Sequence, residues 1–151
     1  MSIWWSLHLR REAASVPLAR RLLLGTMETA GVDPDISFDL SVALTEACAN
    51  AVEHGGRQQP GEKTGAYRVT AYLDGEKCRI EVADSGPGFP ARRIVRRALP
   101  APAPTSENGR GLRLIEQLAD HVHFRNRPGY GAVVSFDKIL KWREGALLRA
   151  V

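Results

Sequence analysis

The sequence is poor in cysteine, in lysine and in long apolar runs, and each shortage excludes a class of protein. The two cysteines, Cys48 and Cys78, form no CxxC pair and lie at no metal-ligand spacing from a histidine, which argues against a disulfide scaffold or a zinc centre. No apolar run approaches the length of a membrane span, and the N-terminus lacks the layout of a signal peptide. We therefore expect a cytoplasmic protein with two unpaired thiols.

The overall composition is that of one globular domain covering residues 1–151, with 44% apolar and 25% charged residues and no internal repeat. The formal net charge is +4, and only four of the 21 basic residues are lysines. The arginine excess suits nucleotide phosphates or an acidic protein partner, although GC-rich coding would also produce it. Aromatic residues are not interleaved with the basic ones, which argues against a nucleic-acid binder.

Hydrophobic periodicity predicts an alternation of strands and helices. Residues 3–10 alternate as a half-buried strand that leaves Trp4 on the outer face. There it either covers an edge or meets a second subunit, or it is a rim residue folded back on its own core. Asp74-Gly75 joins two alternating runs as a β-hairpin. The elements predicted around them are a helix at 15–30 ended by Gly31, strands at 67–73 and 78–82, a helix at 112–118, strands at 122–125 and 132–136, and a basic tail from Lys138 that forms a short amphipathic helix or frays.

The chain is organised around a helix that begins after Asp33. Asp33 suits the N-cap, Pro34 suits the first helical position, and Gly55-Gly56 can end the helix. Its apolar stripe is Leu40, Leu44, Ala47 and Ala51. Polar side chains recur at helical spacing on a different face: Glu46, Asn50, Glu53 and His54. That face is either solvated surface or a ledge for a polar ligand.

Two glycine-containing stretches follow at the ends of predicted elements. Asp84-Ser85-Gly86-Pro87-Gly88 continues the second hairpin strand into a tight turn. Asn108-Gly109-Arg110-Gly111-Leu112 opens the third helix, where backbone amides and the helix dipole favour a phosphate. Taken singly, the first could be a plain turn and the second a plain helix start.

Residues 90–108 separate these two stretches and contain four arginines followed by Pro100, Pro102 and Pro104. Proline at every second position excludes both helix and ladder pairing, which predicts an exposed, semi-extended loop. A loop of this length between packed elements is often functional, so we expect a lid over a ligand site.

In this order the motifs ExxxNAxxHG, DxGxG and GxGLxLI resemble the N, G1 and G2 boxes of the Bergerat-fold (GHKL) ATPases. The resemblance implies an α/β two-layer sandwich, with a mixed, mostly antiparallel sheet covered by helices on one face. It also implies ATP and Mg²⁺ as ligands. The implied roles are Glu46 as general base, Asn50 as Mg²⁺ ligand, Asp84 as acceptor for the adenine amino group, Gly86 and Gly88 in close approach to the base, and Gly109, Arg110, Gly111 and Leu112 around the phosphates.

Within that superfamily, the TEACANAVEHG helix and the preceding Pro17-Leu18-Ala19-Arg20 helix resemble the anti-sigma-factor serine/threonine kinases. The resemblance implies a protein that sequesters a sigma factor and phosphorylates a small antagonist protein. Members are commonly homodimers, and an arginine of their first helix contacts partners; Arg20 matches it here.

The sequence departs from that family at two motifs and in its lid, whose proline-rich sequence is unlike one that would close neatly over ATP. Gly131-Ala132 stands where Gly-Thr is usual, and Glu107-Asn108 stands where kinase members can carry an arginine for the terminal phosphate. Two hypotheses follow: a Mg-ATP-dependent protein kinase that binds a sigma factor, or a non-catalytic switch in which ATP only tunes partner affinity. Glu46 and Asn50 favour the first, because a pure binder has less need of a base.

Overall fold

The computed structural model describes residues 1–54, 65–84, 107–127 and 131–146, without the side chains of residues 107–111. These residues form five strands and three helices. They are β1 (Ile3–Arg10), α1 (Ser15–Ala30), α2 (Pro34–His54), β2 (Ala66–Leu73), β3 (Lys77–Asp84), α3 (Glu107–Leu118), β4 (His121–Arg127) and β5 (Gly131–Ile139).

The strands form one sheet in the order β1-β2-β3-β5-β4, and all four pairings are antiparallel. One face of the sheet is apolar and packs on the helices, and the other carries polar groups and Trp4, which is 65% exposed. Trp4 lies opposite Tyr72 in the pairing of β1 with β2. The predicted two-layer α/β class is confirmed, as is the predicted outward position of Trp4.

Helix α2 lies at the centre of the helical layer, packed against α1, α3 and β3. The Asp33 carboxylate accepts a hydrogen bond of 2.8 Å from the Asp35 backbone amide, as expected of an N-cap residue. The predicted apolar stripe is buried. Its members with exposures of 1% or less are Leu40, Leu44, Ala47 and Ala51. In α1, Leu22 is 39% exposed, although its neighbour Leu23 is fully buried.

The turn between α1 and α2 is closed by residues 140–146, named here the C-terminal strap. Gly31 ends α1 in a left-handed conformation with φ of 91°. Backbone hydrogen bonds then join the strap to this turn in both directions. The Asp33 amide donates to the Lys141 carbonyl, and the Arg143 amide donates to the Gly31 carbonyl. A Cβ added at Gly31 would lie 2.6 Å from the Cβ of Ala146, so the strap fits against a glycine.

The structure corrects two predictions and extends several element boundaries. The tail predicted to be a short helix or frayed from Lys138 is neither over its described residues, 138–146: Lys138 and Ile139 belong to β5, and Trp142 forms a bridge to Val32. Helix α3 begins at Glu107, five residues before its predicted start at Leu112. Glu107 and Asn108, the last two residues of the loop predicted at 90–108, are therefore helical. The other residues of that predicted loop lie outside the described residues, and so do Gly55, Gly56, Gly86 and Gly88. No described helix is long and apolar enough to cross a membrane.

Candidate nucleotide site

Glu46 and Asn50 lie one turn apart on α2, and both side chains are partly exposed. The intervening residues Ala47 and Cys48 are fully buried, because they point toward the other elements packed on α2. Helical spacing therefore separates a packed face from a polar ledge on the same helix. The ledge continues to Glu53 and His54, which are exposed and lie 3.3 Å apart between Oε2 and Nε2. The predicted shared face of Glu46 and Asn50 is present.

Asp84 is the last residue of β3 and only 8% exposed. Its Oδ1 atom accepts a hydrogen bond of 3.2 Å from the backbone amide of Ala132, at the start of β5. A buried carboxylate needs such donors, because removing it from water without a partner is costly. The prediction that Asp84 stands at a strand end is confirmed, and the Gly131-Ala132 motif lies directly beside it. Ala132 contributes its backbone amide there and has no hydroxyl.

The predicted phosphate loop is helical where the structure describes it. Gly109, Arg110 and Gly111 belong to the first turns of α3, and Leu112 is buried in the core at 8% exposure. The residue before a helix accepts a bond from the fourth helical amide, so the helical residues of α3 whose amides have no carbonyl partner within it are 107–109. Gly109 therefore keeps the expected amide for an anion, whereas the amides of Arg110 and Gly111 lie within the hydrogen-bonded part of the helix. The earlier helix start overturns the prediction that both glycines precede the helix.

Arg11 holds the C-terminal end of α2, and sequence reasoning missed it. Its guanidinium donates from Nη2 to the Val52 carbonyl at 2.7 Å and from Nε to the Ala51 carbonyl at 3.2 Å. Both carbonyls lie at the helix end, and no intrahelical amide is available to that of Val52. A basic residue next to the helix C-terminus also complements the dipole. The only signal in the sequence was an arginine just after a strand, which does not identify its contact.

A buried polar contact links α1 and β2, and it too was missed. The Tyr67 hydroxyl lies 2.6 Å from the Ser15 hydroxyl. Burial raises the pKa of Cys48 to about 12, although the Tyr67 hydroxyl partly opposes that rise. Burial likewise raises the pKa of Tyr67 to about 12. Both cysteines are free, as predicted; both are also buried, and neither thiol is ionised near neutral pH.

Arg20 does not belong to this site. It lies on the exposed side of α1, at a groove of about 710 Å³ between α1 and α2. Apolar side chains line the same groove, including Leu24 and Phe38, and Phe38 is 65% exposed. The groove also contains Glu28 and Arg143, so its rim carries charges of both signs.

The described residues contain no cluster of three or more His, Cys, Asp or Glu side chains that could hold a metal ion by themselves. A dedicated all-protein cage is therefore not present among them. Mg²⁺ is commonly held by one or two protein oxygens together with substrate phosphates and water. The side-chain oxygen of Asn50, on a partly exposed helix face, fits that second mode.

Comparisons with known proteins give concordant matches. A family model described as "Histidine kinase-like ATPase domain" matches residues 9–138. The chain is 34% identical over 130 residues to a protein of Bacillus licheniformis named "Serine-protein kinase RsbW", covering 83% of this chain and 78% of that protein. It is 32% identical over 119 residues to the Bacillus subtilis protein of the same name, covering 76% and 72%. Among solved structures, the RsbU and RsbW domains of a Mycobacterium tuberculosis protein match at 21% identity and a TM-score of 0.64, over 91% of this chain and 33% of that one. This last likeness supports the fold.

Proposed function

We propose that this chain, which belongs to the histidine kinase-like ATPase domain family, is an ATP-dependent protein serine/threonine kinase of the anti-sigma-factor type. One observation carries the proposal. Glu46 and Asn50 share an accessible face of α2, in a chain that is 34% identical to a protein named as a serine-protein kinase. A base and a metal ligand one turn apart are the groups that phosphoryl transfer requires near the terminal phosphate.

The nucleotide would lie between the polar ledge of α2 and the end of β3. Asp84 accepts a hydrogen bond from the exocyclic amino group of adenine, which places the base next to Ala132. The unpaired amides at the N-terminus of α3, including that of Gly109, donate to phosphate oxygens, and Arg110 keeps its assignment beside the phosphates. Asn50 offers its side-chain oxygen to Mg²⁺, which when bound neutralises charge on the phosphate groups. Gly86, Gly88 and Gly111 keep their assignment as lining residues within this proposal.

Glu46 is the proposed general base. It accepts the proton of the attacking serine or threonine hydroxyl, whose oxygen then forms a bond to the γ-phosphorus. The bond from that phosphorus to the β,γ-bridging oxygen breaks, and ADP leaves with the bonding electrons. The partial exposure of Glu46 suits this role, because the hydroxyl that it must reach belongs to another protein.

The protein substrate in this proposal is a small antagonist of the anti-sigma factor, and the second partner is a sigma factor. Arg20 is the proposed contact for such a partner, because it is exposed beside the apolar groove between α1 and α2. An arginine next to exposed aromatic and aliphatic surface is a common composition for a protein contact. A homodimer through the outer side of β1, where Trp4 is exposed, also belongs to the proposal.

Glu46→Gln tests the proposal, because it removes the base and leaves the size of the side chain unchanged. We expect ATP affinity to persist and phosphotransfer from γ-labelled ATP to recombinant antagonist proteins to fall about 10²- to 10⁴-fold. Glu53→Gln is the matched control: it lies on the same helix, is exposed and pairs with His54, and should retain wild-type transfer. Equal transfer by wild type and Glu46→Gln would remove Glu46 from the base role.

A non-catalytic ATP-dependent switch is the second candidate. The observation in its favour is that Ala132 presents no hydroxyl beside Asp84, so that base recognition there relies on fewer polar groups. This candidate predicts that wild type binds ATP and transfers no phosphate to any antagonist. It also predicts that Glu46→Gln leaves partner binding unchanged in the presence of ATP.

A further inference from the structure

The end of α2 depends on a hydrogen-bond donor from outside the helix. The Val52 carbonyl has no intrahelical amide, and Nη2 of Arg11 donates to it at 2.7 Å. Nε of the same guanidinium donates to the Ala51 carbonyl at 3.2 Å. Hydrogen bonds from an ionised donor are stronger than those between neutral groups. Arg11 therefore stabilises the last turn of α2 through two charge-assisted hydrogen bonds.

The backbone of Arg11 belongs to the end of the sheet that carries Asp84. The Arg11 amide donates to the Gly65 carbonyl at 3.0 Å, which continues the pairing of β1 with β2 by one residue. Tyr67 lies two residues after Gly65 and is paired with Asp84 of β3. Arg11 thus contacts the end of α2 through its side chain and this end of the sheet through its backbone.

Asn50 is the proposed site residue on α2 that lies nearest in sequence to these contacts. It immediately precedes Ala51, whereas Glu46 lies more than one helical turn before Ala51. The ends of a helix open more readily than its middle, because fewer contacts hold them. Without Arg11, α2 should therefore loosen at Asn50 before it loosens at Glu46.

We propose that Arg11 is a positioning residue of the nucleotide site, which holds Asn50 on α2 at a fixed separation from Asp84 on β3. The inference rests on the proposed function, since it assumes that one nucleotide spans these two residues. Arg11 contacts no substrate in this role and acts through the carbonyls at the end of α2. A nucleotide whose Mg²⁺ is bound by Asn50 depends on this separation, whereas a ligand that reaches only Asp84 does not.

The test compares two ligands on the full chain carrying Arg11→Met, which keeps an unbranched side chain and removes the guanidinium. Adenosine reaches the Asp84 end alone, and Mg-ADP also reaches Asn50. We expect the Mg-ADP affinity measured by calorimetry to fall about tenfold, the equivalent of one charge-assisted hydrogen bond, with adenosine affinity unchanged. Mg²⁺ should also increase the ADP affinity less than it does in the wild type. A substitution that only lowered overall stability would leave both ligand affinities of the folded protein unchanged.

Arg10→Met is the matched control. Arg10 precedes Arg11 and is exposed at the end of β1, so its replacement removes the same charge from the same region. It should bind both ligands as wild type does. An equal loss of Mg-ADP affinity in Arg10→Met and Arg11→Met would assign the effect to general attraction between the arginines and the phosphates, and it would overturn the positioning role.

Arg11→Lys keeps the test decisive if Arg11→Met does not fold. Lysine retains the charge but lacks the planar fork that donates to two carbonyls, so Mg-ADP affinity should fall about threefold with adenosine affinity unchanged. An equal loss for adenosine and Mg-ADP, or no loss, in the folded variant would overturn the positioning role and leave the proposed function standing. Absence of Mg-ADP binding by the wild-type protein would overturn both.

Discussion

Replacing single glycines by alanine separates the two physical effects that make Gly31 necessary. Gly31 has a left-handed backbone and has Ala146 at 2.6 Å from its missing Cβ. Gly145 has a similar backbone, with φ of 77°, but open space around its missing Cβ. Gly25 lies inside α1 with ordinary helical geometry and open space. Alanine at Gly31 therefore adds both backbone strain and a steric clash, alanine at Gly145 adds backbone strain alone, and alanine at Gly25 adds neither.

The expected changes in unfolding free energy follow from these differences. Gly25→Ala should stabilise by about 0.5–1 kcal/mol, the usual advantage of alanine inside a helix. Gly145→Ala should destabilise by about 1 kcal/mol, since left-handed strain of about 1–2 kcal/mol is partly offset by a less flexible unfolded chain. Gly31→Ala adds the forced displacement of the strap, an overpacking cost of about 1–3 kcal/mol, for a total of about 2–4 kcal/mol.

Urea unfolding followed by circular dichroism and by tryptophan fluorescence measures these changes. Trp142 lies in the strap, so fluorescence would detect its separate release before the helices melt. The order of stability expected is Gly25→Ala, wild type, Gly145→Ala, Gly31→Ala, from highest to lowest. Equal destabilisation by Gly31→Ala and Gly145→Ala would refute the claim that the strap packs directly on Gly31.

Two further predictions concern the nucleotide and the thiols. Calorimetry of two variants tests the nucleotide site. Asn50→Ala should make ATP affinity insensitive to Mg²⁺, and Asp84→Asn should lower the affinity for ATP by about tenfold or more at any Mg²⁺ concentration. Mg²⁺-dependent ATP binding by Asn50→Ala would contradict the proposed role of Asn50 as a Mg²⁺ ligand. Burial raises the pKa of Cys48 and that of Cys78 from 9.0 to about 12, so the folded protein retains protons that the unfolded chain loses above pH 9. Stability should therefore fall as pH rises from 9 toward 12, by up to about 1.4 kcal/mol per pH unit for each thiol, and less steeply when both are replaced by alanine. An unchanged slope in that variant would contradict the assignment.

Local sequence signals were sufficient for most of the secondary structure. Asp33 and Pro34 define the start of α2 because capping depends on neighbouring backbone groups alone, and Gly31 marks the end of α1 for the same reason. The hairpin at Asp74 followed equally directly: its carboxylate accepts from the amides of Glu76 and Lys77. Signals of this kind involve residues within about four positions of one another, so they can be recognised from the sequence alone.

Contacts between distant residues were the part that sequence could not supply. Ser15 and Tyr67 are 52 positions apart, and Arg11 and Val52 are 41 apart. Nothing in their neighbours indicates that they meet. The strap was mistaken for a helix or a frayed tail because its order comes from backbone bonds to the turn after α1, not from its own periodicity. The start of α3 was placed late because two glycines, which are poor helix formers, occupy its first turns.

The position of β5 between β3 and β4 has a consequence for synthesis on the ribosome. A nascent chain that has reached residue 130 contains β3 and β4 but not the strand that must lie between them. Until residues 131–139 emerge, β3 has an open edge, and β4 has no sheet to join. The strap, which fastens the turn at Gly31, emerges later still. Folding of this domain is therefore expected to complete only after translation of its last strand, and not progressively from the N-terminus.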